Sequence, residues 1–245
     1  MRDVSTSLDM SGYQGGKGNQ ALPKRALIER RPWLLASLVA AISFYFVKDA
    51  ALAGLFKMTW KGAGVALLAV YALRHAPGSD GKKLAAVMAF GAAGDMAIEI
   101  DLIAGAACFF VGHIIAIALY ARHRRASLTS SQKATAVALL LGTPLIAFLL
   151  PTDRSAAPGV ALYALALGGM AAAAWSSAFP RYRVGLGAVL FVASDLLIFA
   201  RIGPLAASPL PGLLIWPLYF VGQFLICVGV VTHLREGPKT VITNV

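Results

Sequence analysis

The sequence predicts an all-α membrane protein, a bundle of eight transmembrane helices with both termini cytoplasmic. Three observations predict it. Hydrophobic residues fill 58% of the 245 positions and charged residues only 13%, about half the charge with which a soluble domain covers its surface. The apolar residues gather into eight runs, most of them near the ~20 residues that cross a bilayer as a helix. Lysines and arginines fall mainly in alternate connections between those runs, the asymmetry expected of cytoplasmic loops. A water-soluble globular enzyme is disfavoured by composition alone.

The elements follow in order. Residues 1–31 are rich in Gly, Ser, Asn and Gln and lack the apolar heart of a signal peptide, so a disordered cytoplasmic tail is expected there. The membrane domain is read as 32–234 and a cytoplasmic C-terminal tail as 235–245. The first run extends from Trp33 to about Val47. It reaches full length only by continuing past Lys48 and Asp49 toward Phe56. Further runs lie at 60–74, 84–98, 102–121, 134–150, 158–178, 184–200 and 212–233. Pro144 and Pro217 fall inside runs, where kinks are expected. Gly62 and Gly64, Gly91 and Gly94, and Gly168 and Gly169 are suited to close helix packing.

With the N-terminus inside, the cytoplasmic segments hold 17 of the 22 Lys and Arg residues, and only Lys48, Lys57, Lys61, Arg154 and Arg201 fall outside. The net charge of +11 is thereby explained by topology and by attraction to anionic lipid, at about 1 kcal/mol per residue near the surface. No nucleic-acid partner is implied, because the basic residues are scattered. Cys108 and Cys227 both lie in apolar runs, so no disulfide framework is expected. A bacterial cytoplasmic membrane is the expected location.

A weak internal echo links the two halves. Ala93-Gly94-Asp95-Met96-Ala97-Ile98 resembles Ala193-Ser194-Asp195-Leu196-Leu197-Ile198, and Phe110-Val111-Gly112-His113 resembles Phe220-Val221-Gly222-Gln223. The third and fourth runs thus echo the seventh and eighth, the pattern of a 4+4 parallel repeat.

Ionisable groups at mid-bilayer cost roughly 2.5 to 3.5 kcal/mol on insertion scales, so each needs a partner or a purpose. Asp95, His113, Asp195 and Gln223 each lie eleven residues into their runs, which at 1.5 Å per residue is about 16 Å deep. Four polar groups on four helices share one expected depth. Asp95 and Asp195 are the strongest candidates, because carboxylates are the costliest of the four to bury. Facing one pocket they cannot both ionise comfortably, and such a pair suits general acid and base work. His113 either orients a carboxylate or is a satisfied core histidine, and Gln223 alone reads as a helix bridge. Tyr163 and Tyr219 are placed to donate into the pocket or to sit in an interfacial belt. Lys61 either snorkels or holds a phosphate. Glu99 and Asp101 fall outside the apolar core and read as solvated.

Other chemistries fit less well. His75, His123 and His233 sit at cytoplasmic ends, far from His113, which disfavours zinc. Ser194 points about 100° away from Asp195 on a helix, against a serine triad. No metal or organic cofactor is expected.

Gly94-Asp95, Gly112-His113 with Tyr120, Gly187-Ala188-Val189-Leu190-Phe191-Val192-Ala193-Ser194-Asp195 and Tyr219-Phe220-Val221-Gly222-Gln223-Phe224-Leu225 resemble the signature segments of the YhhN-like family, the lysoplasmalogenases. The resemblance covers most of the chain from the first apolar run onward. It implies an eight-helix membrane enzyme that hydrolyses the vinyl ether bond of lysoplasmalogens, releasing a fatty aldehyde and a glycerophospho-alcohol. The family's two membrane aspartates fall on Asp95 and Asp195, and its Lys near the start of the second span falls on Lys61. Two departures stand out: Lys61 is followed by Gly62 where a proline is usual, and Glu99 and Asp101 replace an apolar turn. The implied partners are a lysophospholipid substrate and membrane lipid. A lipid- or proton-coupled transporter using the same aspartates, and a purely binding or structural membrane protein, are the alternatives.

Overall fold

The computed structural model describes residues 31–236. The expected tails 1–30 and 237–245 lie outside the described residues. Among those described, eight helices account for the eight apolar runs, and five of them are long and apolar enough to cross a membrane. The architecture is that of a multi-pass membrane protein.

Helix α1 (Pro32–Val47) starts on a proline, tolerated in a first turn because its missing N–H has no helical partner there. It does not continue toward Phe56. Lys48 and Asp49 pair at 2.7 Å in a turn instead, and α2 (Gly54–His75) follows. Ser37 ties the two helices by donating to the Gly64 carbonyl at 2.6 Å. The chain then reverses through Ala76-Pro77-Gly78, where Gly78 has φ +69°, a conformation that favours glycine. Helix α3 (Gly78–Ala97) leads to α4 (Leu102–Arg122). Asp101, expected to be merely solvated, caps α4 by accepting from the Ala104 N–H at 2.7 Å. Helices α1 to α3 fall short of a simple spanning helix. The first has only 16 residues, and the others carry Lys57 and Lys61, or Asp80, Lys82 and Lys83, in their early turns.

Helix α5 (Ser130–Leu149) opens with a capping box between Thr129 and Gln132. Pro144 does its work there: a proline cannot donate to the carbonyl four residues back and crowds it. The chain widens into a π-helical stretch over Ala138–Gly142, just ahead of it. Helix α6 (Ala157–Ser176) packs on α5, and Gly168 lets it approach this widened segment, its missing Cβ falling 2.5 Å from the Leu139 carbonyl oxygen. Helix α7 (Arg181–Arg201) begins with a second π-helical turn after Pro180. Helix α8 (Leu210–Glu236) continues through Pro217. The carbonyl that Pro217 leaves without a helical donor, that of Leu213, accepts from Tyr45 Oη at 3.4 Å.

Within each half, sequence neighbours pack as antiparallel pairs, and across the halves α4 lies on α6, not on α5, while α8 lies on α2. Each half thus places its fourth helix on the second helix of the other. The corresponding pairs also touch through corresponding residues. A Cβ on Gly112 of α4 would meet the Val87 carbonyl and the Phe90 Cβ of α3, and one on Gly222 of α8 would meet the Gly187 carbonyl and the Leu190 Cβ of α7. The exterior is apolar: on α5, Leu141, Leu145 and Leu149 are each at least 60% exposed, a face suited to lipid rather than water.

Candidate active site

The buried polar side chains are few, and Asp95, His113, Asp195 and Gln223 are among them, each no more than 4% exposed. They separate into two hydrogen-bonded groups. In the first, Tyr163 of α6 donates to Asp195 Oδ2 of α7 at 2.6 Å, and His113 Nε2 of α4 lies 3.3 Å from the same phenol oxygen. Because the phenol has spent its one proton on Asp195, the His113 N–H is the donor in the second contact. In the other group, Tyr219 of α8 donates to Asp95 Oδ2 of α3 at 2.8 Å. Gln223 lies one turn along from Tyr219, and both fill the space that Gly91 leaves open. A Cβ there would stand 2.9 Å from Gln223 Nε2 and 3.3 Å from Tyr219 Oη. Both tyrosines therefore serve carboxylates, and neither acts as a belt residue.

Between the groups stand two aromatic rings. Phe109 is edge-on to Tyr219 and Phe191, with centroids 5.7 and 6.0 Å away, and Phe191 is edge-on to Tyr219 and His113 at 5.1 Å each. Gly94 gives Phe109 its place, since a Cβ there would collide with the ring at 2.8 Å.

An apolar cavity of about 490 Å³ runs from this region to the ends of α3 and α7 and the starts of α4 and α6. Ile98, Leu102, Val160 and Ile198 line it, and Tyr163, Phe109 and Asp195 share its wall. Asp95 does not. The expectation that both carboxylates face one chamber is corrected here, because Phe109 takes the cavity wall and Asp95 turns to Tyr219. Asp95 lies in the last turn of α3, two residues before the helix ends.

Lys61 pairs with Glu99 at 2.6 Å, tying α2 to the end of α3. Glu99, read as solvated, is thus an ion-pair partner. Ser194 donates to the Ile215 carbonyl at 3.0 Å, binding α7 to α8. Among the described residues no group of three or more His, Cys, Asp or Glu side chains is disposed to hold a metal ion.

The chain matches the YhhN family over residues 56–230, well over half its length. The chain belongs to the YhhN family. No curated protein and no solved structure matches it. The matched stretch begins early in α2 and ends within α8, so all five aromatic and carboxylate partners of the two groups lie inside the YhhN segment. Phe109 and Phe191 were missed by sequence reasoning. The internal echo held the signal for the first, since Phe109 occupies in α4 the place that Tyr219 holds in α8.

Proposed function

We propose that this YhhN protein is an integral membrane lysoplasmalogenase that hydrolyses the vinyl ether bond of 1-alkenyl lysophospholipids to a fatty aldehyde and a glycerophospho-alcohol. The observation that carries the reading is a carboxylate, Asp195, on the wall of an otherwise apolar cavity. Such a cavity suits a lipid, and a carboxyl group suits the acid chemistry that a vinyl ether needs. In this reading all eight helices cross the membrane, both termini are cytoplasmic, and the membrane is the bacterial inner one. No cofactor takes part.

The Asp195 carboxyl gives its proton to the alkenyl carbon β to the ether oxygen. The double-bond electrons form the new C–H bond, leaving an oxocarbenium ion. Tyr163 occupies Oδ2, so Oδ1 is the oxygen that carries the proton. The ionised carboxylate then takes a proton from the water that attacks the cationic carbon. Asp195 then protonates the former ether oxygen as its bond to the hemiacetal carbon breaks and takes up the hemiacetal hydroxyl proton, giving alcohol and aldehyde and restoring the acid. Asp95, the second carboxyl of the proposed site, holds Tyr219, whose ring packs edge-on against Phe109 and Phe191. His113 and Gln223 support the two tyrosines. Lys61, once freed from Glu99, is the cation for a headgroup phosphate.

The test is aldehyde release by the purified full-length protein in detergent, from lysolipids with and without the vinyl ether. Aldehyde from the vinyl ether lipids alone is expected. No aldehyde from any of them overturns the reading, and is what a transporter without a gradient would give.

A further inference from the structure

We infer that the end of the bundle opposite the cavity carries a separate site that binds a phosphate group. A second recess, of about 300 Å³, opens there between the start of α1, the end of α2 and the end of α8. Its lining is Arg31, Tyr71, Val231, Thr232, Arg235 and Glu236.

Tyr71 is the reason to read this recess as a site. It is only 1% exposed and its ring is stacked on His75 at 4.5 Å, so its position is fixed. Yet its hydroxyl has no hydrogen-bond partner among the described residues, and it faces the recess. The rest of the side chain is packed away, so the recess is where this hydroxyl can meet a ligand that supplies an acceptor.

The charges say which acceptor. Arg31 and Arg235 come from opposite ends of the described chain, and both stand close enough to Tyr71 to act on its hydroxyl electrostatically. Neither is in an ion pair among the described residues. Two guanidiniums against the single carboxylate of Glu236 leave an excess positive charge. Guanidinium forks match phosphate oxygens, and the Thr232 and Tyr71 hydroxyls add neutral donors. Basic recesses between membrane helices bind phospholipid headgroups in this way. A lipid headgroup and a soluble phosphate ester present the same group. This site does not depend on the hydrolase reading.

The experiment uses the full-length protein in detergent. Native mass spectrometry measures retention of dioleoylphosphatidylglycerol against dioleoylphosphatidylcholine, and calorimetry measures inorganic phosphate. The wild type is expected to retain the anionic lipid preferentially or to bind phosphate. Tyr71→Phe, which removes one oxygen, and Arg235→Gln, on an exposed side chain, should each weaken that binding about 10- to 150-fold, the size of one hydrogen bond to a charged group. Arg74→Gln removes the same charge from the last turn of α2, outside the recess, and should leave binding unchanged. Lipid retention that phosphate does not displace assigns the headgroup as ligand. Phosphate binding without lipid preference assigns the soluble ester. The site is overturned if neither probe binds, if Tyr71→Phe has no effect, or if Arg74→Gln costs as much as Arg235→Gln.

Discussion

Tyr163 Oη lies 2.6 Å from Asp195 Oδ2 and 3.3 Å from His113 Nε2, so the carboxylate on the cavity wall is held through one phenol from three helices, α4, α6 and α7. The arrangement fixes one carboxylate oxygen and leaves the other available. It also makes Tyr163 the part of the site most open to a conservative test.

Tyr163→Phe keeps the ring, which packs edge-on to His113 and Phe199, and removes only the donor. A hydrogen bond to a charged group contributes about 1.5 to 3 kcal/mol, or roughly 10- to 150-fold in rate if it orients the carboxyl in the transition state. Aldehyde release should fall by that factor with KM little changed. An unaltered kcat would show that the phenol positions nothing in the reaction.

The two aspartates should not behave alike. Asp195 lines the cavity and Asp95 does not, so Asp195→Asn should abolish aldehyde release, whereas Asp95→Asn should leave a measurable residue. Both variants keep a side chain that can accept from the neighbouring tyrosine, so folding should survive. Equal and complete loss in both would restore a shared chamber and place Asp95 in contact with substrate. Size-exclusion profiles of the purified variants check that loss of activity is not loss of fold.

Much of this site could be read from residue type and spacing, and the remainder could not, for a physical reason. Asp95, His113, Asp195 and Gln223 stand out because polar groups in apolar runs are costly wherever they face. Tyr163 and Tyr219 were visible as candidates, but a phenol serves a belt as well as a pocket, and only the approach of α6 to α7 and of α8 to α3 decides. Phe109 is invisible in composition, since one more phenylalanine in an apolar run does not stand out, and only its alignment with Tyr219 in the internal echo marks it. Its role comes from the gap at Gly94, a tertiary fact. The Lys61–Glu99 pair escapes for the same reason, joining residues 38 positions apart. The end of α1 at Val47 was uncertain because Lys48 and Asp49 neutralise each other locally and so permit either a turn or a continued helix.

The two glycines at corresponding helix crossings should differ in tolerance. A Cβ on Gly222 would lie 2.7 Å from the Gly187 carbonyl oxygen, a backbone atom that cannot rotate away, while one on Gly112 would lie 3.5 Å or more from its neighbours. Gly222→Ala should therefore push α7 and α8 apart and cost about 1 to 3 kcal/mol, the usual range for overpacking. Gly112→Ala should be close to neutral. Thermal unfolding in detergent reads the difference, and equal melting temperatures for the two variants would contradict the tighter approach of the second pair.

The end of the bundle that bears Tyr71 also holds a charged cluster whose contribution depends on pH. Asp80 precedes the apolar stretch that begins at Leu84. Its Oδ1 meets Lys83 Nζ at 3.0 Å and Arg122 Nε at 3.5 Å, and its Oδ2 meets His123 Nε2 at 2.8 Å. Partial burial disfavours the ionised carboxylate, but the hydrogen bonds from His123 and Lys83 and the charges of Lys83 and Arg122 outweigh it, holding Asp80 below the ordinary carboxyl value of 3.8. A group depressed in the folded state stabilises the fold above its unfolded pKa and loses that contribution as pH falls through the lower folded value. Asp80→Asn should therefore melt below the wild type at pH 7, and the gap should persist to about pH 4 and close only in stronger acid. A gap that closes already between pH 7 and pH 5 would contradict a carboxylate held below its ordinary value by these partners.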